Sequence, residues 1–343
     1  MLAILTGAKK NIGDYLIGER AKALLTHYVD EEIVEIDRFK PINPHLETIN
    51  KCTALLLCGG PAYTSDIYPN IYPLKDILEE IKVPIIPFGL GWSGSPFHQP
   101  LEFRFTDEAF SFLKSVHEKI SFSSCRDVIT ESILNDKGLD NVIMTGCPVW
   151  YYLPDIDKSY EGLANPEKIV FSTGAKQSLV FQTFKLLKGI KKRFSNSKVY
   201  VTYHRGILPG KHTPLRKGIS YTIISLYAKL LGFSVLDVSS NLSKIDFYAD
   251  CDLHIGYRVH AHLDFLSRKK PSYLINEDGR GLGMVRSLKL PEFNYDQPNI
   301  VDSLFKQLEL ERKNNFLNFK ETFQTMKTSF SGMLEFLGYL KGL

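Results

Sequence analysis

The sequence predicts two α/β units, each built on a parallel sheet covered by helices on both faces. Three observations carry that expectation. Short, nearly continuous apolar runs recur along the chain and alternate with segments of helical periodicity, which is how strands buried on both faces read. The alternation breaks at the proline- and polar-rich stretch Pro148–Pro166, which reads as a linker, and then starts again. At 343 residues, with 44% hydrophobic and 23% charged residues, the chain has ample core for two domains of ordinary size.

In the first half the strands are expected at Leu2–Thr6, Ile33–Ile36, Thr53–Cys58, Val83–Phe88, Ile120–Ser123 and Val142–Thr145. Helical stretches lie between them at Asp14–His27, Tyr72–Ile81, Asp107–Lys114 and Asp127–Leu134. The second half repeats the plan, with strands at Lys168–Ser172, Lys198–Tyr203, Ser234–Val238, Leu253–Tyr257 and Pro271–Ile275 and helices including Gln177–Arg193 and Tyr221–Leu231. The domains are thus expected at 1–155 and 166–310. A final segment, 311–343, carries Phe316, Phe319, Phe323, Met326, Phe330, Met333, Leu337 and Leu340 at alternating spacings of three and four. That is one helical stripe, expected to pack on the protein's own domains, with a homodimer seam or a membrane-facing helix left open.

Composition narrows the classes of function. No apolar run approaches the eighteen or so residues of a membrane span, and MLAILTGAKK reads as a first strand, not a signal peptide. Five widely spaced cysteines, mostly inside apolar runs, point to buried thiols in a reducing cytoplasm. Residues 1–155 carry 14 Lys and Arg against 21 Asp and Glu, and the remainder 28 against 17. A basic second half suits an anionic ligand, or an anionic membrane surface meeting the cluster Lys188, Lys191, Lys192 and Arg193. The basic residues are not interleaved with an aromatic platform and no nucleic-acid-binding motif appears, so nucleic acid is not expected as a partner.

The chemistry-bearing residues sit at strand ends. The richest stretch is Cys251–Met284, read as strand, helix, strand and a polar, glycine-rich loop. Its first turn carries Arg258, Val259 and His260, and the loop carries Arg280. In an open parallel sheet both fall at the edge where ligands bind. Two guanidiniums and an imidazole around helix-start N–H groups suit a small, multiply charged anion. A metal reading of Cys251, His254, His260 and His262 is disfavoured, because residues two apart on a helix face different ways. Asn11-Ile12-Gly13-Asp14 follows the first strand, where Asp14 caps the helix or meets a ligand. Cys58-Gly59-Gly60-Pro61 follows the third, and its two glycines permit close backbone approach. Ser124-Cys125-Arg126-Asp127 opens a helix, with Arg126 either pairing with Asp127 or reaching across a cleft. Ser172–Lys176 reads as an anion loop, and His204-Arg205 as cleft lining.

These motifs resemble the polysaccharide pyruvyl transferases. The family's R-x-H-A pattern is met by Arg258, Val259, His260 and Ala261, with valine where leucine is common. Its later Y-D-x-K loop is met by Asn276–Arg280, with Arg280 where lysine is usual. N-x-G-D and S-x-R-D are met at Asn11–Asp14 and Ser124–Asp127. The resemblance implies two Rossmann-like domains facing across a cleft, as in GT-B glycosyltransferases. It implies a transferase moving a pyruvyl group from phosphoenolpyruvate onto a sugar as a ketal, with phosphoenolpyruvate as co-substrate and no other cofactor. It places the donor on Arg258, Arg280, Arg126 and Val259, catalysis on His260 and Asp14, and the acceptor on Asn11, Asp14, Gly59 and Gly60. The acceptor would be a saccharide, lipid-linked or free, met in the cytoplasm or at the inner membrane face with or without peripheral membrane contact. A nucleotide-sugar glycosyltransferase of the same shape is the alternative, although the E-x7-E acid pair of many such enzymes is missing.

Overall fold

The computed structural model describes residues 1–95, 97–210 and 213–343. Its N-terminal sheet has six strands: β1 (Leu2–Thr6), β2 (Ile33–Asp37), β3 (Ala54–Tyr63), β4 (Ile85–Trp92), β5 (Ser123–Cys125) and β6 (Val142–Met144). Helices α1 (Ile12–Tyr28), α2 (Leu46–Asn50), α3 (Asp107–His117) and α4 (Val128–Asp136) lie between them. The order β2-β1-β3-β4-β5-β6 reverses direction beside β1. The second sheet holds β7 (Lys168–Ser172), β8 (Lys198–Tyr203), β9 (Ser234–Asp237), β10 (Leu253–Gly256), β11 (Ser272–Asn276) and β12 (Phe293–Asn294). Its helices are α5 (Val180–Arg193), α6 (Leu215–Leu230), α7 (Val259–Ser267), α8 (Gly279–Ser287) and α9 (Ile300–Lys313), and α10 (Phe319–Lys341) ends the chain. Its order, β12-β11-β10-β7-β8-β9, reverses between β7 and β10.

Every strand pair within the two sheets is parallel. The central strands are buried because helices cover both faces; Leu2–Leu5 and Ala54–Leu57, for example, are inaccessible to solvent. All five cysteines are buried and unpaired.

Several elements depart from the sequence expectation. Tyr72–Ile81 is a series of turns with one short 3-10 segment, Leu78–Glu80, because Pro73 pushes Tyr72 into extended backbone (φ −115°, ψ 98°). The fifth strand starts at Ser123, later than the apolar run that suggested it. α6 begins six residues before Tyr221, a start hidden by the helix-weakening Gly218. The loop expected around Arg280 is helix α8, masked by Gly279, Gly281 and Gly283. Those glycines are demanded by packing: a Cβ on each would lie 2.2 Å from Trp92, 2.4 Å from Asn276 and 2.5 Å from Asp127. Phe316 is not helical. It sits with Asn315 in left-handed backbone (φ 56° and 49°) between α9 and α10. Pro148–Pro166 is no loose tether either, since Trp150 and Tyr151 are buried within it.

The two domains interlock. The Ile12 N–H donates to the His204 carbonyl (3.2 Å), and the Ser240 N–H to that of Lys10 (2.9 Å). The Val128 N–H donates to Ser287 Oγ at 3.0 Å. Arg20 of α1 forms a buried ion pair with Asp264 of α7 at 2.8 Å, and Arg268 meets the other carboxylate oxygen at 3.1 Å.

Candidate active site

The site lies where the two reversals of strand order face each other, the position at which open α/β sheets hold ligands. From the N-terminal domain, the loop after β1 and the start of α1 supply Asn11, Gly13 and Asp14. From the C-terminal domain, β10 leads through Tyr257 into α7, whose N-cap position is Arg258 and whose first residues are Val259 and His260. Gly256 makes the close strand approach possible: a Cβ there would fall 2.4 Å from the Ser172 carbonyl oxygen. His260 packs directly on the first turn of α1, since a Cβ at Gly13 would lie 2.3 Å from its Nδ1. That contact explains the glycine of the N-x-G-D motif.

One pocket gathers Asn11, Arg126, His204, Arg205, Tyr257, Arg258, Val259, His260, Glu277, Asp278 and Arg280. Arg258 is buried; its backbone N–H donates to Ser172 Oγ (3.0 Å) and one terminal nitrogen to the Tyr221 hydroxyl (3.4 Å). Arg205 comes in from the end of β8, and Lys217 from the first turn of α6. Among the described residues, none of these three cations is in an ion pair with a carboxylate. Shielded from solvent and without hydrogen-bond partners, Arg258 Nε, Arg205 Nε and His260 Nε2 are left as orphaned nitrogens around one small space. Burial, then the Arg258 and Arg205 charges, pull Lys217 down to about 8. Burial, then Arg126 and Arg280, push His260 down to about 3, so its imidazole is neutral at pH 7 in the free site. Crowded positive charge of this kind calls for an anion.

Other candidates have double duties. Arg126 both pairs with Asp127 (3.3 Å) and donates to the Trp92 carbonyl (2.9 Å), while its side chain lines the pocket. Close approach to Gly91 holds it there, where a Cβ would lie 1.8 Å from its Nε. Arg280 is forked onto Asp278 at 2.9 and 2.6 Å, and Asp278 also caps α8. Asp14 is not a helix cap; Asn11 holds that position and donates from Nδ2 to Asp14 Oδ1 at 3.0 Å. Burial raises the Asp14 pKa, against the pull of Arg205, Asn11, Arg38 and Arg280.

Three expectations are corrected or narrowed. The anion loop Ser172–Lys176 already holds an internal anion: Glu277 Oε1 accepts from the N–H groups of Ala175 (2.6 Å) and Lys176 (2.9 Å). Lys176 lies over the Tyr295 ring, 3.7 Å from its centroid. Gly59 serves packing, since with φ 61° a Cβ would come 2.0 Å from Ile17 Cγ2. It does not line the cationic pocket; Gly60 (φ 88°) keeps open space around its Cβ position. His254 and His262 share Ser272 Oγ at 2.8 and 2.7 Å, a structural arrangement in the core. Sequence reading missed Lys217 altogether, and the only signal for it was a lysine two residues from Leu215 in an unrecognised first helical turn.

The fold has many counterparts among solved structures, at identities that speak for the fold alone. MnaA of S. aureus in complex with UDP superposes with a TM-score of 0.53 at 11% identity, over 95% of this chain and 90% of that one. The UDP-N-acetylglucosamine 2-epimerase of Rickettsia bellii gives 0.51 at 11% identity, covering 98% and 97%. TarM of S. aureus gives 0.52 at 12% identity, covering 87% of this chain and 58% of that one. These are GT-B folds, and this chain shares their architecture. No curated protein matches the sequence significantly. The model of one family, polysaccharide pyruvyl transferase, matches residues 11–279, from the asparagine at the start of α1 to the glycine that opens α8. The chain belongs to the polysaccharide pyruvyl transferase family.

Proposed function

We propose that the protein transfers the pyruvyl group of phosphoenolpyruvate to a pair of hydroxyls on a saccharide, closing a ketal and releasing phosphate. The observation that carries this reading is the convergence of Arg205 and Arg258, unpaired among the described residues, with His260 where the two domains meet, with Lys217 close enough to feel both guanidinium charges. Phosphoenolpyruvate carries a carboxylate and a phosphate a few ångströms apart, and a cluster of separate cations suits two such ends better than a single point charge.

The chemistry follows from the donor. His260, protonated in the donor complex, delivers a proton to C3 of the enol, and C2 becomes electrophilic. A sugar hydroxyl forms the new C2–O bond, and its proton passes to Asp14, whose raised pKa suits a base. The bond from C2 to the phosphate oxygen breaks, the second hydroxyl closes the ring on C2, and its proton leaves with the phosphate as hydrogen phosphate. No electrons leave the pyruvyl carbons, so no redox partner enters. Asn11 and Gly60 border the acceptor side in this reading.

Incubation with phosphoenolpyruvate and candidate glycans in deuterated water tests the proposal. Phosphate release with deuterium in the pyruvyl methyl group is the expected result. Release of nucleoside diphosphate from a sugar nucleotide, with phosphoenolpyruvate untouched, would overturn it in favour of glycosyl transfer.

A further inference from the structure

Helix α6 presents an apolar face that nothing among the described residues covers. Leu215, Ile219, Ile223, Leu226 and Leu230 are between 47% and 85% exposed. At 100° per residue they fall within about an 80° arc, a stripe about 22 Å long. Two neighbours widen it. Leu208 is 72% exposed, and the adjoining Pro209 packs onto Gly218 of α6. Phe181 is 77% exposed and touches Phe184, which packs at a tilt against Tyr227 of α6 at 4.7 Å between centroids.

The charge on the two helices has one sign. Helices α5 and α6 contain no Asp or Glu. Lys185, Lys188, Lys191 and Lys192 on α5, and Arg216 and Lys229 on α6, are all exposed, and none is in an ion pair among the described residues. Lys191 reaches toward Gly232 and Phe233 at the far end of α6, and Arg216 and Lys229 border the stripe on α6 itself, whereas Lys185, Lys188 and Lys192 line the groove between α5 and α9. Contiguous exposed apolar area on this scale marks an interaction site. A helix with an apolar face bordered by lysine and arginine suits the headgroup boundary of an anionic bilayer.

We infer that the α5–α6 face docks the protein on an anionic membrane surface. The first turn of α6 carries both Leu215 of the stripe and Lys217, which feels the charges of Arg258 and Arg205 in the pocket, so docking would hold the cleft close to the lipid headgroups. The sequence had offered the C-terminal stripe for such a role, but that stripe is buried in α10.

Co-sedimentation of the full chain with phosphatidylglycerol-rich and with pure phosphatidylcholine vesicles tests this. Wild type should pellet with the anionic vesicles, and added salt should weaken it. Ile219→Gln/Ile223→Gln/Leu226→Gln, all at exposed positions, should lower that affinity about tenfold or more with an unchanged melting temperature. Lys191→Glu/Lys229→Glu should lower it and flatten the salt dependence. The proposal is overturned if wild type stays in the supernatant with both vesicle types, or if the triple variant binds as wild type does. It is equally overturned if sedimentation velocity shows a dimer that the triple variant dissociates, since a second copy then covers the face. Phosphoenolpyruvate binding in vesicle-free solution reports on the catalytic reading separately.

Discussion

Arg258 is the residue on which the donor site most depends, because it brings a buried guanidinium that has, among the described residues, an unpartnered Nε and no carboxylate of its own. Arg258→Ala should weaken phosphoenolpyruvate binding by about 1.5–3 kcal/mol, read by calorimetry. Unchanged affinity would remove Arg258 from the site. His260 poses a protonation problem, since it is held at about 3 in the free site yet must be an acid in the reaction. A bound trianion reverses the local field and raises its pKa. Donor binding at neutral pH should therefore take up a proton, and affinity should fall as pH rises from about 3 toward the pKa in the complex. Turnover should be lost on the alkaline side of that second pKa. His260→Gln should bind donor within about tenfold of wild type while turnover drops by about 10²-fold or more. Lys217 adds a second, higher limb. With a free-site pKa of about 8, it should be charged in the donor complex, so affinity should decline above pH 8. Lys217→Met should abolish that decline, and a persisting decline would assign it to another group.

α10 joins both domains through its buried face. Phe319 meets Tyr273 of β11 at 5.7 Å between centroids, while Phe336 stacks on Phe88 of β4 at 5.4 Å. Phe319, Phe323, Met326, Met333, Phe336, Leu337 and Leu340 are all buried. Each such side chain contributes about 1.5–3 kcal/mol, so the combined loss of the seven is about as large as, or larger than, the roughly 5–15 kcal/mol of net stability a domain has. Deletion from Asn315 onward should therefore give aggregating protein. A soluble, active monomer after that deletion would show that α10 does not hold the domains. α8 makes a related point about local sequence. Its glycines weaken it as a helix, yet they let it slide between Trp92, Asn276 and Asp127, which carries Arg280 to the cleft.

Across the molecule, domain closure is reinforced by the buried Arg20–Asp264–Arg268 group. Removing one partner of a buried pair leaves charge poorly compensated, typically at about 3–5 kcal/mol. Arg268 still serves Asp264, so Arg20→Leu should lower unfolding stability by about 3 kcal/mol or slightly less, read from the urea midpoint. No change in the midpoint would mean that Arg20 makes no net contribution to closure. The same closure leaves a space of about 30 Å³ among the pocket side chains. That holds a couple of waters and is smaller than phosphoenolpyruvate, so donor entry requires side chains to move or the domains to part.

The parallel α/β plan was legible in the sequence because apolar runs and helical periods are local: every strand from β1 to β11 grows from a run visible in the sequence, shifted at β5. Arg258 and His260 were legible for the same reason, since a strand end followed by a helix start is a local signal. What depends on distant contacts was not. That Glu277 fills the loop at Ala175 and Lys176, and that Gly13 makes room for His260, follow from residues about a hundred or more positions apart. Local periodicity carries no record of such pairs, because it reports which face of an element is apolar and not what lies against it. For α10 the covering surface is the protein itself. For α6 the described residues supply none, and only the assembled structure distinguishes the two stripes.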